Sequence, residues 1–183
     1  MRPRRLLIAG LAFALAAMVV AGCSTGRTGG AAREGLYENV AGLDYNVFIT
    51  RELNLRDAED RGYYRGPEAP PGFALYGVFI EVCNHGHGYK FPDTTFTVED
   101  NQGNRFEPLP LPKDNIFAYR PQRLSTGACL PEPGSAAFSG PTAGALLLFK
   151  FPLTSLENRP LELKIEAPPG SRTPLRKTIE LDI

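Results

Sequence analysis

The sequence is short of the residues that most chemistry needs. Its 183 residues include only two histidines and three cysteines. Its one Gly-x-Ser-x-Gly string, Gly22-Cys23-Ser24-Thr25-Gly26, straddles the end of the apolar leader and not a strand-to-helix turn, so it is not the elbow of a hydrolase nucleophile. Gly140-Pro141-Thr142-Ala143-Gly144 lacks the Gly-Lys-Ser/Thr ending of a phosphate-cradling loop. No window of useful length repeats apolar residues about every 3.6 positions, which excludes a helical bundle. Residues 54–62 (NLRDAEDRG) make a short helical turn at most. There is no surplus of charge either, with 20 basic and 20 acidic residues. Three of the basic residues, Arg2, Arg4 and Arg5, lie in a leader argued below to be removed, and the 20 less these three leave 17 against 20 acidic. A chain without basic excess lacks the electrostatic drive toward nucleic acid.

What is present begins with that leader. An uncharged run, Leu6 to Ala21, follows the arginines. It is short for a membrane span, which needs roughly 20 apolar residues. A charged start, an apolar middle and small residues at the end describe an export signal. Its end, Val20-Ala21-Gly22-Cys23, resembles the bacterial lipobox. That resemblance implies cleavage after Gly22 and a diacylglycerol thioether on Cys23, whose two acyl chains suffice for stable anchoring. The alternative is an ordinary signal peptide, or an uncleaved anchor, with a chance cysteine. Residues 24–34 (STGRTGGAARE) are small, polar and aperiodic, the composition of a flexible tether. The organisation expected is therefore a signal peptide at 1–22, a lipidated Cys23 with its tether at 23–34, and one folded domain at 35–183. The localisation expected is a bacterial membrane, facing outside the cytoplasm.

The folded part is dominated by alternation with a period of two. Leu161, Leu163 and Ile165 alternate with Glu162, Lys164 and Glu166, and Ile179, Leu181 and Ile183 with Thr178, Glu180 and Asp182. Leu43, Tyr45, Val47 and Ile49 alternate with Asp44, Asn46, Phe48 and Thr50. In FALYGVFIEVCN, Tyr76, Val78, Ile80 and Val82 form one face, with Phe79 and Cys83 on the other. A strand apolar on both faces belongs in the middle of its sheet, and ALLLFKF (145–151) is a second central candidate. Runs 94–100 and 104–109 flank Asn101-Gln102-Gly103 and read as a hairpin with Gly at the position needing positive φ. The loop lacks the ligand spacing of a calcium-binding EF-hand. About seven strands separated by turn signals, with 19 Gly and 17 Pro overall, predict an all-β antiparallel sandwich. Two long connections stand out, residues 54–72 and 110–135; their prolines and aromatics favour ordered packing on the sandwich.

The order of segments resembles the telokin-like, immunoglobulin-like domain of bacterial lipoproteins and secreted antigens. The likeness rests on Phe79-Ile80-Glu81-Val82-Cys83-Asn84, on the strand, turn and strand from Phe96 through Gly103 to Phe106, and on Phe149-Lys150-Phe151-Pro152 followed by Leu161-Glu162-Leu163. It spans residues 43–183 and implies an immunoglobulin-like sandwich outside the cytoplasm without catalytic residues. The chain departs from the pattern in its 110–135 connection and in two cysteines.

Those cysteines, Cys83 and Cys129, form an even pair once Cys23 is lipidated, and in an exported protein such a pair reads as a disulfide. His85-Gly86-His87 is the one histidine cluster; two imidazoles two residues apart contribute to a metal site only if a third ligand joins them. Tyr63 and Tyr64 between Arg61 and Arg65, and Phe117 and Tyr119 beside Arg120 and Arg123, are the residue types that anchor protein partners, or else they seal the sandwich edges. The reading is a membrane-anchored extracytoplasmic lipoprotein acting as a non-catalytic binding or structural module, with no cofactor, no nucleic-acid partner and an unidentified envelope partner. The alternatives are metal handling through His85 and His87, and a cell-envelope hydrolase.

Overall fold

A computed structural model describes residues 30–92, 94–171 and 175–183. Cys23, the leader and most of the tether lie outside the described residues. In chain order the elements are β1 (Ala32–Arg33), β2 (Glu38–Val40), β3 (Leu43–Glu52), α1 (Ala58–Tyr63), β4 (Phe73–Cys83), β5 (Thr95–Glu99), β6 (Arg105–Phe106), β7 (Cys129–Leu130), α2 (Ala136–Ser139), β8 (Ala145–Pro152), α3 (Leu153–Leu156), β9 (Glu162–Glu166) and β10 (Arg176–Glu180). No helix among the described residues is long and apolar enough to cross a membrane.

The strands build two sheets packed face to face, an all-β sandwich. One sheet runs β1-β10-β9-β5-β6, and the other has β2, β3 and β4 in order, with β7 and β8 both paired to β4. All pairs are antiparallel except β1 with β10. The alternation in Leu161–Ile165 places Leu161, Leu163 and Ile165 between the sheets, where they meet Val78, Ile80, Val82, Phe149 and Phe151. Fully burying side chains of this size contributes about 1.5–3 kcal/mol each.

β4 is the central strand that its two apolar faces require. β3 pairs along one edge, while β8 (against Phe73 to Ile80) and β7 (against Val82 and Cys83) lie end to end along the other. Its outward residues Leu75 and Phe79 enter a second cluster with Leu53, Leu55, Tyr63, Leu146 and Leu148. β8 differs from the expectation of a second central strand, because among the described residues its one strand partner is β4. Its far edge is closed instead by the long connection. Leu109 N donates to Leu148 O at 2.6 Å, Leu146 N to Phe117 O at 2.7 Å and Tyr119 N to Leu146 O at 2.9 Å. This satisfies an edge that would otherwise be open to pairing with another chain.

Alternation in β3 holds only to Val47. A register shift between Val47 and Ile49 reverses the faces beyond it, so that Thr50 is 5% exposed and Ile49 42%. An extra residue in one strand produces this reversal, and polarity alone does not mark it.

Short-range hydrogen bonds set the turns. Asp100 accepts from Gln102 N at 3.0 Å, Asn104 N at 2.9 Å and Asn104 Nδ2 at 2.8 Å, and Gly103 takes φ 83°, making a plain turn between β5 and β6. Gly144, at φ 114°, leads into β8 so close to β4 that a Cβ there would lie 2.9 Å from the carbonyl carbon of Phe79. At the N-terminal seam, Glu34 Oε2 accepts from Thr50 N at 3.0 Å in one sheet. Its Oε1 accepts from Asp182 N at 3.1 Å, just past the last strand of the other. Among the described residues, strand pairing begins at Ala32, ahead of Gly35.

Candidate functional site

Two parts of the surface gather the residues singled out in the sequence. The first is built on the 54–72 connection. Asp57 caps α1 by accepting from Glu59 N at 2.8 Å. Asp60, only 6% exposed, receives Arg51 on one oxygen and Asn54 N at 2.8 Å on the other. Arg51 in turn lies 5.6 Å from the Tyr63 ring centroid. These contacts orient α1 so that the first of two adjacent tyrosines points inward.

Tyr63 is 1% exposed, which corrects its expected role as a partner contact: it has no surface to offer. Its ring stands edge-on to Phe79 at 5.1 Å and Phe117 at 4.8 Å. Its hydroxyl accepts from Thr142 N at 2.8 Å. Asn115 fastens the opposite loop onto it, donating from Nδ2 to Tyr63 O at 2.8 Å and accepting from Phe117 N at 2.9 Å. Tyr64 and Phe117 are half-buried against the same second cluster. Tyr119 is partly buried and packs against the main core, edge-on to Phe96 at 5.2 Å, and burial pushes its phenol pKa far up. The structure therefore brings Tyr63, Tyr64 and Phe117 together and sets Tyr119 apart.

Beside them a cleft of about 650 Å³ opens, lined by Arg65, Gly66, Pro112, Asp114, Ile116 and Phe117 among others. Ile116, 68% exposed, is its most prominent apolar side chain. It escapes sequence reasoning because one aliphatic residue in an irregular loop has no period to betray it.

The second region lies where β4 ends. Cys83 and Cys129 face each other in register across β4 and β7 and are joined in a disulfide with a sequence separation of 46. The next residue, Asn84, is wholly buried and pins the turn that follows. Its Nδ2 donates to Gly88 O at 2.8 Å and Leu124 O at 3.1 Å, and its Oδ1 accepts from Gly86 N at 3.2 Å. That turn holds His85, whose Nδ1 lies 2.9 Å from Asp44 Oδ2. Asp44 Oδ1 accepts from Asn39 Nδ2 at 2.6 Å. Tyr37 stands edge-on to His85 at 6.1 Å and donates its hydroxyl to Glu81, and that hydrogen bond, then burial, raises its phenol pKa.

Cys83 Sγ, Cys129 Sγ and a His85 ring nitrogen all lie within 4.8 Å of one another. His87 is exposed and belongs to no such group among the described residues. The structure thus associates His85 with the cysteines rather than with His87.

No family model and no curated protein matches the sequence. Among solved structures the chain is similar to the ycdA protein of Bacillus subtilis, a candidate lipoprotein, at 10% identity and a TM-score of 0.48, over 80% of this chain and 38% of that one. It is also similar to the yjhA protein of Bacillus subtilis, again at 10% identity and a TM-score of 0.48, over 82% of this chain and 99% of that one. The chain therefore spans well under half the length of the first, and at this level of likeness no functional residue is transferred.

Proposed function

We propose that the chain is an extracytoplasmic lipoprotein, anchored through Cys23, whose sandwich serves as a non-catalytic binding module. The observation that carries this reading is the Cys83–Cys129 disulfide. Such bonds persist in oxidising compartments outside the cytoplasm. The leader supplies a route there, and Val20-Ala21-Gly22-Cys23 supplies the anchor. The resemblance to telokin-like, immunoglobulin-like domains supports the same compartment and a role without catalysis. For contact with an envelope protein, the rim of the cleft around Ile116 and Arg65 replaces the buried Tyr63 as the surface on offer. An exposed aliphatic beside an arginine suits a peptide-like partner through apolar burial and directed hydrogen bonds.

Mass spectrometry of the native protein tests the anchor. The expected mature chain begins at Cys23 with a diacylglycerol adduct, and Cys23→Ala moves the protein out of the membrane fraction. A Cys23→Ala chain that stays membrane-bound with its leader intact refutes the lipid anchor. Photo-crosslinking from position 116 tests the surface. A discrete crosslinked envelope protein, lost when Arg65 is changed to Glu, supports the binding role, and crosslinks no different from those at position 175 refute it.

A further inference from the structure

We propose that the corner formed by Cys83, Cys129 and His85 is a redox-gated site for a thiophilic divalent cation of the zinc class, closed while the disulfide stands and opened by a dithiol reductant. The three donor atoms already lie within 4.8 Å of one another. Two thiolates and an imidazole form a donor set that zinc favours and that calcium and magnesium do not.

Independent features hold the donors in place. Strand register sets Cys83 opposite Cys129. The buried Asn84 fixes the turn carrying His85. Asp44 takes His85 Nδ1 at 2.9 Å and is itself held by Asn39. A carboxylate on a ring nitrogen fixes the tautomer and orientation of the imidazole, the usual support behind a ligating histidine. Three protein donors leave a fourth position for water or an external ligand.

The gate balances as ordinary thiol–disulfide exchange. Cys83 is 1% exposed, whereas Cys129 is only half-buried, so the thiolate of the external dithiol attacks Cys129 Sγ. The Cys83–Cys129 bond breaks, and its electron pair goes to Cys83 Sγ. The reductant's second thiol then attacks its own sulfur in the mixed disulfide and frees Cys129. The dithiol leaves as a disulfide, having passed two electrons and two protons to the pair. A divalent cation then displaces one proton from each thiol.

The inference needs the folded domain and not the anchor, and the test separates the two. The purified full chain is reduced with a phosphine, freed of it without air, and titrated with Co(II) as the probe and Zn(II) as competitor. The expected result is one cobalt per chain with a thiolate-to-cobalt charge-transfer band, two protons released, and no band from the oxidised chain. Asp44→Asn weakens binding by about 10–100-fold. His85→Ala weakens it further, and His87→Ala and Cys23→Ser leave it unchanged. Near-UV circular dichroism reports whether the reduced chain stays folded; where it does not, zinc restores the fold, because a cation bound only by the native state stabilises that state. Any of three results overturns the proposal: a folded reduced chain without the band, a band indifferent to His85→Ala, or a reduced unfolded chain that zinc does not rescue. Loss of the band in Cys23→Ser assigns the thiolate to Cys23 and overturns both this site and the lipid anchor.

Discussion

Replacing Tyr63 by Phe removes a single oxygen from the interior. The ring keeps its contacts with Phe79 and Phe117, at 5.1 and 4.8 Å. What is lost is the acceptor for Thr142 N, 2.8 Å away in a buried position. A buried donor left without a partner costs about 1–3 kcal/mol. In a domain of this size each kcal/mol lowers the melting temperature by about 2–4 °C. Tyr63→Phe should therefore melt several degrees below the parent, and the Thr142 amide should exchange faster with solvent. Tyr63→Ala adds a cavity under α1 and should cost about 3–5 kcal/mol. Tyr64→Phe is the control, since no hydrogen bond ties its hydroxyl to this network; it should stay within about 0.5 kcal/mol. Thermal melts and urea titrations of the disulfide-intact chain measure all three. A Tyr63→Phe chain that melts with the parent, together with an unchanged Thr142 amide, refutes the assignment of Tyr63 to the core.

Three further outcomes are expected. Replacing Cys83 and Cys129 together by Ala opens the loop they close, with a sequence separation of 46, and should cost about 4 kcal/mol in the chain-entropy treatment; denaturant titrations fitted for midpoint and slope check this, with a lower midpoint and a steeper slope because the unfolded chain without its cross-link exposes more surface. Gly144→Ala forces a side chain onto φ 114° and against the β4 backbone, and should destabilise by about 1–3 kcal/mol or more, read as a lowered melting temperature. Stability should fall in acid. Hydrogen bonding to Lys164 holds the Glu99 pKa down; burial alone would raise that of Asp100, but hydrogen bonds from Asn104, Gln102 and Asn158 outweigh it. A depressed native pKa means that the unfolded chain binds more protons, so this stabilisation is complete above the ordinary carboxylate range, about pH 4, and disappears as pH falls through the native values. Asp100→Asn should flatten that acid loss in melts between neutral pH and pH 2.

The strands that face water on one side were legible in the sequence. Glu162–Glu166 and the Thr95–Glu99 hairpin emerge because one buried and one wet face write a period of two. The double-sided burial of β4 was legible for the complementary reason. Other features depend on partners far along the chain. β7 is two residues long, too short for any period, and exists because Val82 and Cys83 offer it an edge. The bulge in β3 is hidden because Phe48 and Ile49 are both apolar and yet both exposed, so polarity does not mark where the faces reverse. α1 has six residues, too few to show that Tyr63 turns inward and Tyr64 lies across the surface. The nearness of His85 to both sulfurs depends on the pairing of β4 with β7 and on Asn84, which local spacing does not encode. His85 and His87, by contrast, are neighbours in sequence, yet the turn assigns only His85 to the sulfurs.

Glu34 has a mechanical consequence. Tension arriving from the N-terminal side of the domain enters through Ala32 to Glu34 before it reaches any core residue. The two oxygens of that carboxylate grip one amide in each half of the sandwich, Thr50 and Asp182. A pull arriving there loads the outer strand β1 against β10 first, and Glu34 then passes part of it to the second sheet through Thr50. One side chain thus ties the two sheets together beside the point where force enters the domain.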